Sequence, residues 1–275
     1  MFRTGILLFV LSGIFLAVGF FLGGMGGMGI ALVFTAFVNI ISYWYSDSIV
    51  LRIYGAQLTD DKDLNEMARK LAAEAEIPKP RVYLMQSEVP NAFATGRDPS
   101  HGAVAVTLGL MKLSKGEMEA VIAHEMSHIK NRDTLVQAVA ATIAGAISYL
   151  AMIGYWSMFS SDENRGSGAI IGAILIAIFA PLAATIVRLA ISRRREYAAD
   201  HEAALMTRKP ANLASALRKI SEMSRETPIR GPSATSHLWI VNPFKDDWFT
   251  GLFSTHPPIS RRIEKLQRMS PARGG

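Results

Sequence analysis

The chain has 275 residues, of which 50% are hydrophobic and 19% are charged, and its formal net charge is +6. A typical soluble domain has about a quarter of its residues charged, so this composition favours a membrane protein. There is no cysteine, which excludes a disulfide framework, a cysteine-based zinc site and a thiol nucleophile. The basic balance indicates an anionic lipid surface rather than nucleic acid, because no basic run has interleaved aromatic residues.

Four stretches of the chain are strongly apolar. They cover residues 5–22, 30–45, 135–159 and 168–191. A membrane-spanning helix needs roughly 20 apolar residues, so we expect four spans, with Tyr43, Trp44 and Tyr45 in an aromatic belt at the interface. A signal peptide is the less favoured reading of the first stretch, because no A-x-A site follows it. A buried soluble hairpin is the alternative for the last two, in which Arg188 is the single charge.

Basic residues orient the predicted spans. Residues 47–134 contain 11 Lys and Arg and residues 192–275 contain 15, whereas the two short connections contain only Arg165. The positive-inside rule then places both polar segments and both termini in the cytoplasm. We therefore predict a membrane hairpin over residues 1–46, a polar part over 47–134, a second hairpin over 135–191 and a second polar part over 192–275. The two polar parts must meet in space to form one domain.

The first polar part shows local signals for both helix and strand. Residues 60–76 have an amphipathic stripe at helical spacing, and residues 81–85 and 101–110 are strand candidates. Residues 89–99 contain Gly and Pro and are predicted to be irregular. Ser114 and Glu117 form a capping box, which predicts that a helix begins there and continues to about residue 131.

This last helix carries the segment V-I-A-H-E-M-S-H-I-K-N. His124 and His128 are four residues apart, so both imidazoles lie on one helix face and can bind one metal ion. Glu125 projects beside them, where it can take a proton from water. H-E-x-x-H on a helix is typical of a zinc-dependent peptidase. The alternative is a polar helix face or two histidines with structural partners.

A catalytic zinc ion usually has three protein ligands. Glu196, Asp200, His201 and His256 are the candidates for the third. Glu196 and Asp200 are four apart on a predicted helix, so one can bind metal while the other supports a ligand. The alternative for these two carboxylates is pairing with the arginines at 193–195 on a solvated face. His201 points about 100° away from Asp200 and is less favoured.

H-E-M-S-H followed far downstream by E-Y-A-A-D resembles the pattern of the membrane metallopeptidases that include HtpX and the CAAX prenyl proteases. The resemblance covers nearly the whole chain and implies a mainly α membrane protein, with four transmembrane helices and a cytoplasmic α+β, zincin-like (gluzincin) protease domain. It implies zinc ligands at His124, His128 and Glu196, a general base at Glu125 and a supporting carboxylate at Asp200. The prenyl proteases have an asparagine where this chain has Ser192.

Two further segments gain a meaning from this resemblance. Asn91, Ala92 and Phe93 match a segment beside the substrate cleft, where an extended edge can bind peptide backbone; the alternative, favoured by the sequence alone, is a surface loop. His256 and Arg262 match positions proposed to stabilise the oxyanion; the alternative is a helix cap after Pro258 with a solvent-facing Arg262. His101 and His237 lie in no motif, and residues 225–254 look like a long loop.

Together these features predict a zinc endopeptidase of the bacterial cytoplasmic membrane, with one zinc ion per chain and protein substrates. His128 and Glu196 lie a few residues from predicted spans, so the metal is expected within roughly 10 Å of the membrane boundary. The resemblance implies a role in membrane-protein quality control. The alternatives are a prenyl-protein protease, a catalytically silent membrane adaptor and, with thin support, a transporter.

Overall fold

The computed structural model of the protein describes residues 2–137, 139, 193–226, 240 and 257–269. Most of the third predicted span, all of the fourth, Ser192, His237 and His256 lie outside the described residues, as does most of the predicted loop over 225–254. The helices and strands below are numbered in chain order within the described part.

The chain begins with α1, Phe2–Ile53, which is broken by non-helical backbone at Gly23 and Gly24. Gly24 has φ +58, a left-handed conformation that glycine adopts without steric cost. The rings of Phe15 and Phe34, one from each arm, are 5.5 Å apart in an edge-to-face arrangement. The break therefore folds α1 into a helical hairpin.

The two arms of this hairpin touch through glycine. A Cβ atom added at Gly19 would lie 2.6 Å from the carbonyl oxygen of Gly27, which no real side chain tolerates. Further along the hairpin, Asn39 Nδ2 donates a hydrogen bond to Ser12 Oγ at 3.1 Å. Close backbone approach through small residues, reinforced by a polar side-chain contact, is the usual way in which helices associate in a membrane.

Within the described residues, one segment, Gly23–Tyr45, is long and apolar enough to cross a membrane. Its large side chains, such as those of Ile30 and Phe37, are exposed, as lipid-facing residues would be. The other three predicted spans remain predictions.

The described elements after α1 form an α+β unit. They are β1 (Gln57–Leu58), α2 (Lys62–Glu74), β2 (Arg81–Met85), β3 (Ala92–Thr95), a 3-10 turn (Pro99–His101), β4 (Ala103–Thr107), a second 3-10 turn (Leu110–Lys112), α3 (Lys115–Lys130), α4 (Arg193–Thr207), α5 (Pro210–Glu226) and α6 (Ile259–Met269). Residues 133–137 form a further helical segment after α3.

The four strands form one mixed sheet in the order β1-β2-β4-β3. β2 and β4 are parallel, with Val82 opposite Val104, whereas β3 runs antiparallel to β4, with Phe93 opposite Ala105. The prediction that residues 89–99 are irregular is wrong for the four residues of β3. Pairing with the buried strand β4 imposes the extended conformation on a segment whose small residues show no alternation of their own.

The predicted helices in this unit are confirmed. α2 begins at the N-cap Asp61, whose side chain accepts a hydrogen bond from the Leu64 N–H, and it buries the predicted apolar stripe. α3 begins at the predicted capping box of Ser114 and Glu117. Residues of α2, α3, α4, α5 and α6 share one hydrophobic core on one face of the sheet.

The opposite face of the sheet packs against the end of α1. A smaller core there contains Val50 and Leu51 of α1 together with Phe93 and Ala105. The ring of Tyr54 lies 5.5 Å from that of Phe93. The helical hairpin of α1 is thus joined directly to the sheet that carries β3.

Candidate metal centre

The two histidines of H-E-M-S-H lie one helical turn apart in the middle of α3. Both side chains are 5% exposed, and their Nε2 atoms are 3.3 Å apart. The capping box fixes where α3 begins, and packing of its apolar residues against the sheet fixes its orientation. The helix therefore presents two imidazole nitrogens at one buried point.

The third predicted ligand comes from α4. Glu196 is 1% exposed, with Oε2 3.7 Å from His124 Nε2 and Oε1 3.4 Å from His128 Nε2. One donor atom from each of the three residues lies within 4.8 Å of the others. Two imidazole nitrogens and a carboxylate oxygen are a donor set that zinc uses in peptidases. The structure therefore brings together the three ligands that the resemblance implied.

A carboxylate lies close to the Nδ1 atom of each histidine. Asp200, four residues after Glu196 on α4, has Oδ1 3.1 Å from His124 Nδ1. Asp133 has Oδ2 3.4 Å from His128 Nδ1. A carboxylate on the far nitrogen of a metal-binding histidine fixes the ring orientation and raises its basicity. Asp200 was expected in this place. Asp133 was not predicted, although an acidic residue shortly after the second histidine is a sequence signal that could have identified it.

Arg262 enters the site from α6. Its side chain is 1% exposed and donates two hydrogen bonds to Asp200, from Nη2 at 2.6 Å and from Nε at 2.8 Å. Nη1 lies 3.7 Å from Glu196 Oε2. The solvent-facing alternative for Arg262 is therefore wrong, although α6 does begin after Pro258 as that alternative assumed.

The alternative pairing of the two α4 carboxylates with the arginines at 193–195 is also wrong for Asp200, whose partner is Arg262. Arg195 instead donates from Nη1 to Asp133 Oδ1 at 2.9 Å. Because Asp133 lies next to Nδ1 of His128, this ion pair connects α4 to the short helical segment that follows α3.

Glu125 is buried beside the ligands and contacts the edge of the sheet. Its Oε2 accepts a hydrogen bond from the backbone N–H of Ala94 at 2.8 Å. Burial raises the pKa of Glu125, and the neighbouring His124 and His128 oppose that rise only in part. A buried carboxylate with a raised pKa is suited to taking up a proton near neutral pH.

β3 is the edge strand beside this carboxylate. The Thr107 N–H donates to the Asn91 carbonyl at 3.0 Å, so in the antiparallel register the backbone groups of Ala92 and Ala94 point away from β4. The surface-loop alternative for residues 91–96 is wrong, because these residues are buried. The Asn91 side chain accepts a hydrogen bond from the Ile240 N–H at 3.0 Å, while Phe93 packs on the opposite face of the sheet.

The charges at the centre fit a divalent cation. Glu125, Glu196 and Asp200 are three buried carboxylates, and Arg262 is one cation, while Asp133 and Arg195 balance each other. Among the described residues, buried carboxylates therefore outnumber arginines at this point, which suits a divalent cation. Burial lowers the pKa of His124, but the carboxylates of Asp200 and Glu196 outweigh this and raise it to about 9.

The two other histidines among the described residues are not part of this centre. His201 lies on α4 but is exposed, and His101 is exposed beside Asp98. His256, the other residue expected to stabilise an oxyanion, lies outside the described residues.

The sequence matches known peptidases over almost its whole length. The pattern of peptidase family M48 matches residues 58–270. A relative named Protease HtpX homolog from Pyrococcus furiosus is 50% identical over 279 residues, covering 99% of this chain and 96% of the relative. A relative of the same name from Aquifex aeolicus is 46% identical over 274 residues, covering 96% of this chain and 91% of the relative.

The fold is similar to that of a solved structure. The crystal structure of Ste24p from S. mikatae superposes with a TM-score of 0.52 at 18% sequence identity. The match covers 97% of this chain but 65% of the Ste24p chain. This chain therefore spans about two thirds of the length of that neighbour, and the similarity shows a shared fold.

Proposed function

The chain belongs to peptidase family M48 and is a membrane metalloprotease, and we propose that it is a zinc-dependent endopeptidase whose active site is the centre on α3 and α4. The observation that carries the proposal is the convergence of His124, His128 and Glu196 around one buried point, with Glu125 beside them. A second observation is that buried carboxylates outnumber arginines at that point among the described residues.

His124, His128 and Glu196 would hold the metal ion. When bound, zinc polarises the scissile carbonyl group and lowers the pKa of water. Asp200 and Asp133 keep the two imidazole rings in the orientation that this binding requires, through their positions 3.1 and 3.4 Å from the Nδ1 atoms.

Glu125 moves the proton in the proposed reaction. One oxygen of its carboxylate is engaged by the Ala94 N–H, so the other is the oxygen that faces the attacking water. We expect it to accept a proton from that water and to deliver it to the nitrogen of the departing amine. A positioned acid–base group of this kind contributes about 10²- to 10⁴-fold to the rate.

The substrate backbone would bind along β3. The outward-facing groups of Ala92 offer hydrogen bonds to an extended peptide, and the side chain of Asn91 lies next to them. A peptide that adds as a strand to a sheet edge is bound mainly through its backbone rather than its side chains, which suits broad specificity. Phe93 would act indirectly, because its ring anchors the strand against Tyr54 on the far face.

Arg262 would assist at the developing oxyanion. Asp200 accepts hydrogen bonds from Nε and Nη2 of its guanidinium, which leaves Nη1 on the side of Glu196. A fixed, buried cation stabilises negative charge that appears only in the transition state. His256 is proposed to share this role on the basis of the family resemblance.

The proposed substrates are misfolded or damaged membrane proteins, cleaved at the cytoplasmic surface of the membrane. The possible span ends at Tyr45, and residues 50 and 51 of the same helix already pack on the sheet. At 1.5 Å per helical residue, the sheet begins within about 10 Å of the end of the span. That spacing gives the site access to loops and tails of membrane proteins.

The test compares the unaltered protein with Glu125→Gln, both purified in detergent, stripped with a chelator and reloaded with zinc. An unfolded soluble protein such as casein and a farnesylated peptide serve as separate substrates. We expect zinc-dependent cleavage of casein by the unaltered protein alone, with equal zinc content in both. Cleavage confined to the farnesylated peptide would favour the prenyl-protease alternative. Equal zinc content with no cleavage by either protein would favour the adaptor.

A further inference from the structure

A second cavity lies away from the metal centre, beside the end of the first membrane hairpin. Its volume is about 410 Å³, and it is lined by Tyr43, Arg97, Asp98, Pro99, Ser100, His101, Arg132 and Leu135. Nothing in the proposed reaction uses these side chains. Three of the eight lining residues carry basic groups, and one carries a carboxylate.

Hydrogen bonding fixes the charges of the first wall. Arg97 Nη2 lies 2.6 Å from His101 Nε2, and because a guanidinium can only donate, Nε2 must be the acceptor. The proton of the imidazole is then on Nδ1, which lies 2.8 Å from Asp98 Oδ1. Arg97 Nε also lies 3.6 Å from Asp98 Oδ2, so this wall holds one guanidinium and one carboxylate that face each other.

Arg132 adds a second guanidinium group to the lining of the cavity. Arg132 is exposed, and it makes no ion pair with any residue that the structure describes. It has φ +57 in the turn after α3, which directs its side chain away from the helical path. With Arg97 and Asp98 included, the cavity has a net charge of about +1 and presents two guanidinium groups.

The cavity also lies close to the ends of two apolar stretches that are expected to cross a membrane. Tyr43 is two residues from the end of the possible span, and Leu135 is the first residue of the third apolar stretch. The Arg97 guanidinium stacks over the ring of Trp44 at 5.0 Å. Aromatic residues concentrate at the interface of a bilayer, where lipid phosphates are found.

We propose that this cavity binds the phosphate group of an anionic phospholipid. Arg97 and Arg132 would donate hydrogen bonds to the phosphate oxygens, since guanidinium groups match phosphate in geometry and charge. The single net positive charge suits a phosphodiester with one negative charge, and the volume accommodates a headgroup. Ser100 and Tyr43 supply hydroxyl groups for a polyol such as glycerol.

A ligand bound to Arg132 would be connected to the metal centre through the neighbouring residue in the chain. Arg132 immediately precedes Asp133, whose carboxylate lies behind His128. A headgroup that orders the Arg132 turn would thereby order a group that orients a metal ligand.

The test uses calorimetric titration of the full-length, zinc-loaded protein in detergent. The probes are dihexanoylphosphatidylglycerol, dihexanoylphosphatidylcholine, dihexanoylglycerol and inorganic phosphate. The variants are Arg132→Gln and a matched control, Arg208→Gln. Arg208 is also exposed and has φ +55, but it follows the C-terminal end of α4 and does not line the cavity.

We expect one phosphatidylglycerol to bind per chain, at least tenfold more tightly than phosphatidylcholine. Arg132→Gln should weaken that binding about tenfold through loss of a charge-assisted hydrogen bond, while Arg208→Gln leaves it unchanged. Equal binding by the two variants would overturn the proposal, as would equal binding of dihexanoylglycerol. Inorganic phosphate that binds as tightly as the lipid would assign the cavity to a free anion instead.

Discussion

The buried ion pair of Arg262 and Asp200 allows a quantitative test of the electrostatics of the centre. Replacing Arg262 by methionine preserves most of the side-chain volume but removes the guanidinium that faces Asp200, Glu196 and Glu125. Breaking a buried pair from one side costs about 3–5 kcal/mol, because the remaining charge is left unpaired. At about 2–4 °C per kcal/mol for a chain of this size, the midpoint of thermal unfolding should fall by about 10 °C or more.

The measurement is thermal unfolding in detergent with a chelator present, so that metal binding does not contribute. Arg261→Met is the matched control, since Arg261 is the exposed neighbour on the same helix and its replacement should change stability by about 0.5 kcal/mol or less. The double variant Arg262→Met with Asp200→Leu removes both charges. It should lose less stability than the sum of the two single variants.

Two results would refute this reasoning. The first is an Arg262→Met variant as stable as Arg261→Met in the absence of metal. The second is a double variant whose loss equals the sum of the single losses, which would mean that the two side chains do not interact. Either result would remove the charge accounting that supports a divalent cation at the centre.

Three further predictions concern other contacts. Asp133→Ala should weaken zinc binding about 10- to 100-fold, measured by competition with a chelating dye, because His128 loses its orienting carboxylate; Asp133→Asn should recover part of this. Removal of zinc should lower the unfolding midpoint, and zinc at about 100 times its Kd should restore about 2.7 kcal/mol; a midpoint independent of zinc would contradict a folded metal centre. Burial alone would raise the pKa of Glu117, but hydrogen bonds from Lys219 and Ser215 lower it to about 2. Its contribution to stability should therefore be complete above about pH 4.5 and decline as pH falls towards 2, seen as a narrowing gap between the unaltered protein and Glu117→Gln.

Local sequence signals predicted α3 well because every one of them agrees there. The capping box, the apolar spacing and H-E-M-S-H all require the same helix, so His124, Glu125 and His128 were placed by local physics alone. Glu196 was different. Spacing on a helix left it equivalent to Asp200, and only the family resemblance chose between them.

The sequence predictions failed where tertiary contacts determine the local structure. β3 has no alternation of apolar and polar residues, and its conformation comes from pairing with β4. Asp133 lies beyond the end of α3, where the left-handed backbone of Arg132 breaks the helical phase that a sequence argument extends. Arg262 was named as a candidate, and its burial could have been predicted as well, because it shares a helical stripe with Ile259, Ile263 and Leu266, which marks the buried face of α6.

The order of the centre along the chain also has a consequence during protein synthesis. Arg262 contacts His124 across 138 residues of sequence, and Glu196 lies between them. A ribosome therefore produces the two histidines and the general base long before it produces the third ligand and the buried arginine. A nascent chain held at the membrane has no complete catalytic centre until α4 and α6 have been translated. With the proposed assignment of the centre, the newly made protease would be unable to cleave its own growing chain, or the nascent chains beside it, until those helices are made.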